Sequence, residues 1–559
     1  MTQTHSRKAC CVLFLVALGT HALGQNFAGV LTRQNDMART GQNLLETQLT
    51  TANVNVSSFG KLFSYTVQGQ TYAQPLYLPN VSISGQGTHN VVYVATEHDQ
   101  LYAFDADGNG SQPLWQDSFI DPGNGVTTVP TKQYNCGSLG PEMGITSTPV
   151  VDPSSETIYV VVATEEKKQV VQRLHALDVA SGSEKFGGPV VLQATFQGVA
   201  FDPRQVQRSA LLLLNGNVYM AFAALCARFP WHGWILGYSA QTLQQTAVFN
   251  TTPNGDKGGI WQSGGGLASD GTYLYCMDGD GTFDANSGGS DYGMSALKLP
   301  TSGTLTVLDY FTPYNEAGLS KQDLDLGSGG VLLLPKQSGK HPDEMIGADK
   351  TGNIFVLDRN NMGKFHSNGN DVVQQLQGAK LGYWSSPAYW QQTVYYSGRG
   401  DYLSMYSVSQ GLLSSKPVST APTRFVAGST PSVSSNGQEN GIVWAIEVPS
   451  LSKPAILHAY DATNVGDELY NSSQAGSRDT AGLANKYQVP AIANGKVYVG
   501  TQVELDVYGL LGAAPSIAKS PSGGSTQSPR SYGWRRSTRA LISEIANRLQ
   551  TIPVAFALP

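Results

Sequence analysis

Along most of its length the chain alternates between short apolar runs and turn-forming clusters of Gly, Asn, Asp and Pro. One phrase recurs. An apolar segment carrying Pro or a small residue leads into a Gly or Asn turn. A strand of VYV type follows, then one of YAFD type, then one that carries an aromatic residue. The first copy reads AQPLY from Ala73, then VVYVATEHD, QLYAFDAD and PLWQDSF. Later copies start at Ser147, Arg208, Gly264, Ser328, Ser385, Ser429 and Val489, about 59 residues apart on average. Four strands per unit at that period predict an all-β protein, an eight-bladed β-propeller of four-stranded blades. Runs such as ALLLL (210–214) and VVYVA (91–95) suit sheets buried on both faces between neighbours. The eighth copy supplies three strands before Leu511, while KLFSYTV, Lys61 to Val67, stands spare ahead of the first. Pairing Lys61–Val67 as the outer strand of the last blade closes the ring and removes an edge open to aggregation.

Composition agrees with that reading and narrows the function classes. Charged residues are 14%, Gly numbers 62, and Tyr (26) outnumbers Phe (18), a balance that favours turn-rich β structure. A formal charge of −6 argues against a nucleic-acid binder working by bulk charge. No apolar run of about 20 residues follows the N-terminus, so no transmembrane helix is expected in the mature chain. The spacings of zinc sites, of c-type haem attachment, of the nucleophile elbow and of the Walker loop are missing, so neither haem nor zinc is expected.

Three segments emerge. Residues 1–24 read as an export signal: Arg7 and Lys8 precede an apolar stretch, and Ala22-Leu23-Gly24 sets a cleavage site before Gln25. The expected location is periplasmic or extracellular. Residues 25–511 form the propeller. Residues 512–559 read as a flexible basic tail: from Ala513 on there are six Lys/Arg against one Glu, and Leu541, Ile545 and Leu549 permit a short amphipathic helix. The mature chain keeps Cys136, Cys226 and Cys276. Cys136 and Cys226 lie in Gly/Pro/aromatic loop sequence and are the expected disulfide, as oxidising conditions allow. Cys276, in the alternating TYLYCMD, is expected to be a buried thiol.

The segments VYVATEHDQLYAFDADG, KTGNIFVLD and GKVYVGT resemble the repeat of pyrroloquinoline-quinone (PQQ) propellers, the eight-bladed quinoprotein alcohol dehydrogenase-like fold. CGSLGPEMGITSTPVVDP, HGWILGYSA, NTTPNGDKGGIWQSGGG and DLGSGG are similar to a group of secreted bacterial PQQ-repeat proteins. The resemblance spans roughly Gln25 to Leu511. It implies a channel mouth that, in the dehydrogenases, holds PQQ with a Ca²⁺ that polarises the quinone, an Asp base, a Trp beneath the ring and often a disulfide of adjacent cysteines. Here the only adjacent cysteines are Cys10 and Cys11, inside the export signal. The fold also hosts non-catalytic assembly proteins.

Loops ahead of the inner strands should face the mouth, and they supply the candidates. Asp323 and Asp325 in QDLDLGSGG are candidate bases or cation ligands. Trp261 and Gln262 in GGIWQSGGG put an indole beside Gly-rich backbone that permits close approach of a planar ligand. Lys350 and Trp384 are further cofactor-binding candidates, and Glu142 is a candidate metal ligand. DADGNG offers Asp105, Asp107 and Asn109 to Ca²⁺, although its twelfth position is Gln116 rather than Glu, and DGDGTFDANSGGSD is a second acidic loop. Both also read as Asp/Asn/Gly hairpin turns. The leading expectation is an exported binding or scaffold module, its protein, glycan or small-molecule partner at the channel mouth. A Ca²⁺–PQQ oxidoreductase of an alcohol or sugar is the alternative, and a cell-wall or polysaccharide binder a third. A mouth plugged by the long insertion before the second blade (Ile120 to Thr146) would favour the scaffold.

Overall fold

The computed structural model describes residues 29–134, 139–224, 230–301, 304–380 and 382–512. The export signal, Cys136, Cys226 and the tail from residue 513 lie outside the described residues. Eight antiparallel sheets follow one another in chain order. Their inner strands are Leu76–Ile83, Val150–Asp152, Val206–Leu214, Ala268–Ser269, Leu332–Leu333, Ala388–Trp390, Ser432–Asn436 and Ala491–Ala493, which begin blades 1 to 8. Blade 8 takes its outer strand from the N-terminal side: Phe59–Thr66 pairs with Glu504–Leu510. The closing strand thus starts two residues earlier than the apolar pattern indicated, because Phe59 already pairs with Leu510. Phe59 itself is buried with Trp444 and Tyr470.

The core lies in the seams between blades rather than at one centre. One apolar cluster joins blades 8, 1 and 2, and others join successive pairs around the ring. The recurring VYV tyrosine has a specific task there. Tyr93, Tyr159, Tyr219 and Tyr395 each send the hydroxyl across the seam to a main-chain carbonyl of the next blade: Val179, Ala240, Thr301 and Ala462, at 2.9, 2.7, 2.6 and 2.6 Å. Tyr498 of blade 8 completes the circuit to Ala106 of blade 1 at 3.2 Å. Phe would fill the same space and give up this bond across the seam, which is one reason for Tyr at these positions.

The channel is not open along its axis. Residues 29–46 run around its inside and bond to the second residue of successive inner strands. Tyr77, Val151, Ser269, Leu333, Tyr389 and Val433 donate their N–H groups to the carbonyls of Val30, Leu31, Met37, Ala38, Thr40 and Gly41, all at 2.8–3.0 Å. Gln42–Asn43 then pairs parallel with Val433–Ser434. Asn43 Nδ2 donates to Ile492 O, and Gly495 N to Glu46 Oε2, so blade 8 is held as well. The plug is therefore this N-terminal segment. The insertion ahead of blade 2 adds Val126–Pro130 to the sheet edge at Thr164–Glu166, and its Val129, Leu139 and Met143 pack in one buried cluster with Tyr72, Trp261 and Tyr487, so it covers part of the mouth as well.

Candidate functional site

Strand direction fixes which loops share a face. Loops that enter each inner strand and turns that link second to third strands lie on one face, the mouth, as expected. Turns that link third to fourth strands lie on the other. Asp105, Asp107 and Asn109 are on that other face. Asp105 Oδ1 accepts the N–H of Asp107 at 2.7 Å, its Oδ2 lies 2.6 Å from His89 Nδ1, and Asp107 pairs with Lys496 of blade 8 at 2.7 Å. This is a hairpin turn that ties two blades; its carboxylates are committed, and it is not arranged as a Ca²⁺ loop.

Glu142 is on the mouth face but engaged, accepting from Thr128 Oγ1 at 2.7 Å and lying 3.0 Å from His98 Nδ1. Asp323 and Asp325 are brought together with Asp280. One oxygen of each falls within 4.8 Å of the others. Two lysines face the three carboxylates: Lys350 Nζ lies 2.8 Å from Asp323 and 2.7 Å from Asp325, and Lys257 Nζ lies 2.6 Å from Asp280. Asp325 Oδ1 also accepts the N–H of Asp280 at 2.8 Å. Lys350 is thus a partner of the two aspartates, and its ammonium is held by them.

Gln262 is fully buried and fully used. It donates to Gly265 O and Gly266 O, and at 3.4 Å to Ser209 Oγ of blade 3, and accepts from Met277 N of blade 4, so its polar atoms are engaged within the protein. Trp261 is half-buried, with Tyr487 edge-on at 6.2 Å and 82°. The glycine triplet Gly264–Gly266 does permit close approach, but of the protein's own guanidiniums. A Cβ on Gly264 (φ +90°) would sit 2.5 Å from Arg208 Nη1, and one on Gly266 would sit 2.8 Å from Arg39 Cζ. Arg33, Arg39 and Arg208 are fully buried on the channel axis. Little in the sequence marks them: two stand in the polar stretch LTRQNDMARTG and one near the start of a strand. Arg39 is held by the carbonyls of Leu267, Arg33 and Leu211 and by Thr32 Oγ1. Arg208 donates to Thr146 O and Ser263 O at 3.1 and 3.0 Å, its guanidinium lying 5.6 and 5.2 Å from the rings of Tyr72 and Tyr487.

Beside this closed axis the mouth retains one recess, between blades 6, 7 and 8. Its volume is about 380 Å³ and its lining includes Trp384, Arg399, Val426, Leu451, Lys486 and Tyr487. Arg399 lies over the Trp384 ring at 5.4 Å. Neither Arg399 nor Lys486 has an ion pair among the described residues. Val426 and Leu451 are 55% and 45% exposed, so the rim joins apolar surface to free positive charge.

No protein-family model matches the chain, and no curated protein matches it. Solved structures do. The quinohemoprotein alcohol dehydrogenase from Comamonas testosteroni superposes over 90% of this chain and 83% of its own, with TM-score 0.58 and 14% identity. A europium-containing methanol dehydrogenase superposes over 86% and 98%, with TM-score 0.57 and 14% identity. The fold is that of the quinoprotein alcohol dehydrogenases. At this identity the likeness concerns the fold alone. At the mouth Tyr487 meets Trp261 edge-on, and Asp280, Asp323 and Asp325 stand close enough together to share one cation, with Lys257 and Lys350 beside them. Cys276 is a buried free thiol in Tyr273–Met277, as its alternating sequence indicated.

Proposed function

We propose that this chain is an exported binding module whose ligand site is the recess at the channel mouth. The ligand is an aromatic or apolar carboxylate, or a partner segment that presents one. The observation that carries this is the pairing of a half-buried indole, Trp384, with two cations free of ion pairs among the described residues, Arg399 and Lys486, at a wide recess of the mouth. Aromatic and apolar walls supply contact area, and unpaired guanidinium and ammonium groups supply orientation toward a carboxylate. A rigid closed ring suits a platform: the recess is built by loops from three blades, each fixed by its own sheet.

The test is a fluorescence titration of the purified protein with aromatic mono- and polycarboxylates, PQQ with Ca²⁺ among them, alongside an assay of artificial-acceptor reduction on an alcohol and sugar panel. Saturable quenching that Arg399→Gln weakens, without turnover, supports the binding module. Turnover with PQQ would overturn it in favour of the oxidoreductase. No saturable binding by any carboxylate would overturn it as well.

A further inference from the structure

The axis below the mouth poses a separate problem of charge, independent of the rim recess. Three guanidiniums are buried there, and arginine keeps its proton in proteins. Arg39 has Asp36 beside it, and Arg208 has Glu97. Arg33 has no carboxylate near it; the charges it faces are Arg208 and Arg39. Its Nε and Nη1 have no hydrogen-bond partner among the described residues, and its Nη2 reaches only Ser263 O at 3.4 Å. Arg208 donates to that same carbonyl, so the two like charges converge on one oxygen.

The surrounding polar atoms repeat the pattern. Arg208 Nε, Gln74 Nε2 and the Ser147 hydroxyl are buried without partners, as are the acceptors Gln34 Oε1 and Glu97 Oε1. They belong to one place. Gln74 Oε1 accepts the N–H of Gln34, the residue after Arg33, and Gln74 N donates to Thr148 Oγ1 next to Ser147. Thr146 O takes the Arg208 Nη1 bond. The backbone is shaped to this end: Gln262 and Ser263 are both left-handed (φ 46° and 49°), a costly conformation for side-chain-bearing residues, and it turns Ser263 O into the channel. Water would satisfy the orphan N–H groups and leave the charge. A buried charge without a counter-charge is far more expensive than an unmade hydrogen bond.

We propose that the channel holds one small monovalent anion between Arg33 and Arg208, bound by the free guanidinium N–H groups of both with Gln74 and Ser147. Halide, nitrate and formate share the required chemistry: one negative charge, compact size and acceptors for several donors. The site is a resident one, walled by residues 29–46, and the anion counters the charge left over on the axis.

The full chain is purified, dialysed exhaustively against gluconate, whose bulk keeps it out, and divided. One part is heat-denatured and its released inorganic and carboxylate anions are measured by ion chromatography. The other is melted in bromide, nitrate, formate or gluconate at matched ionic strength. Release of about one equivalent per chain, or a saturable rise of about 2 °C or more in Tm with one of the small anions, is the expected result. The released or preferred ion shows whether the resident is halide, oxyanion or carboxylate. Arg33→Gln should abolish either signal. Should that variant fail to fold, Arg33→Lys, which keeps the charge but loses the fork, should weaken the anion response at least tenfold. No released anion together with superimposable melts of the wild-type protein overturns the proposal.

Discussion

Two groups of charge stand near the channel mouth, and they are balanced in opposite ways. Asp280, Asp323 and Asp325 at blades 4 and 5 face Lys257 and Lys350, each ammonium within 2.8 Å of a carboxylate. Arg33, Arg39 and Arg208 on the axis face mainly carbonyl oxygens, and Arg33 faces no acid at all. The acidic group was the more conspicuous in the sequence, since paired aspartates in a Gly-rich loop suggest a base or a cation site. In three dimensions each of its carboxylates touches an ammonium group, with two lysines shared among three acids. Chemistry is open where charge is unpaired, on the axis and at Arg399 and Lys486.

The largest effect expected from breaking this comparison is at Arg39. Arg39→Ala removes the fork that satisfies Leu267 O, Leu211 O and Arg33 O, and leaves Asp36 without its cation in a buried place. A loss of about 3–5 kcal/mol is expected, read from the midpoint of urea unfolding. No added ion should rescue it, because the lost bonds are to carbonyls.

The acidic group is tested at Lys350. In the wild-type protein Ca²⁺ should leave Tm unchanged, because two lysines already counter the three carboxylates. Lys350→Met removes one of them. It should cost about 1–3 kcal/mol without added cation, and millimolar Ca²⁺ should then restore a measurable part of the lost Tm. A Ca²⁺ response of the wild-type chain would show that the lysines do not compete as their distances indicate. At the rim, Arg399→Gln should weaken an aromatic carboxylate about tenfold, equivalent to about 1.4 kcal/mol. It should change unfolding by no more than about 0.5 kcal/mol, since Arg399 is exposed and supports no other group.

The legible and the illegible parts of the fold divide for physical reasons. The blades were readable because each carries four strands of similar pattern, and repetition strengthens a signal that any one strand gives only faintly. The closing strand was readable because blade 8 lacked a partner. Residues 29–46 were not readable: they hold the ring through their carbonyls, which every residue possesses, so no side-chain pattern marks them. The axial arginines were missed for the same reason, since carbonyl acceptors leave no complementary acid in the sequence. Gly264–Gly266 did indicate a flat group close to the backbone; the group is Arg208 and Arg39 rather than a bound ring. Trp384 was singled out and lines the rim recess, whereas Gln262 is spent on packing and Lys350 on pairing. The pairing of Cys136 with Cys226 lies outside the described residues.

An effect that pH controls concerns the acid that stands beside Arg208. Burial pushes the Glu97 carboxyl up to about 7, against hydrogen bonds from Gly144 N and Thr146 Oγ1 and the field of Arg208, with Glu142 adding to the rise. Asp99, fully buried beside it, is pushed well up by burial and by Glu97 and Glu142. A carboxyl whose pKa is higher folded than unfolded binds its proton more tightly in the folded state. Its contribution to stability is fully present below about pH 4.5 and is lost as pH rises through about 7. Glu97→Gln keeps the shape and the bonds from one face of the group and cannot ionise. Across pH 5–8 the variant's stability should therefore decline less steeply than that of the wild-type protein, the more so because the Glu97 charge no longer helps to raise Asp99. The axis gives a second readout. Ionisation of Glu97 places a negative charge next to Arg208, so affinity for a small anion should fall from pH 5 to pH 8 in the wild-type chain and hold nearly level in Glu97→Gln. Parallel stability profiles for the two proteins would mean that Glu97 is already charged at pH 5. The axis would then carry its full complement of carboxylates throughout that range.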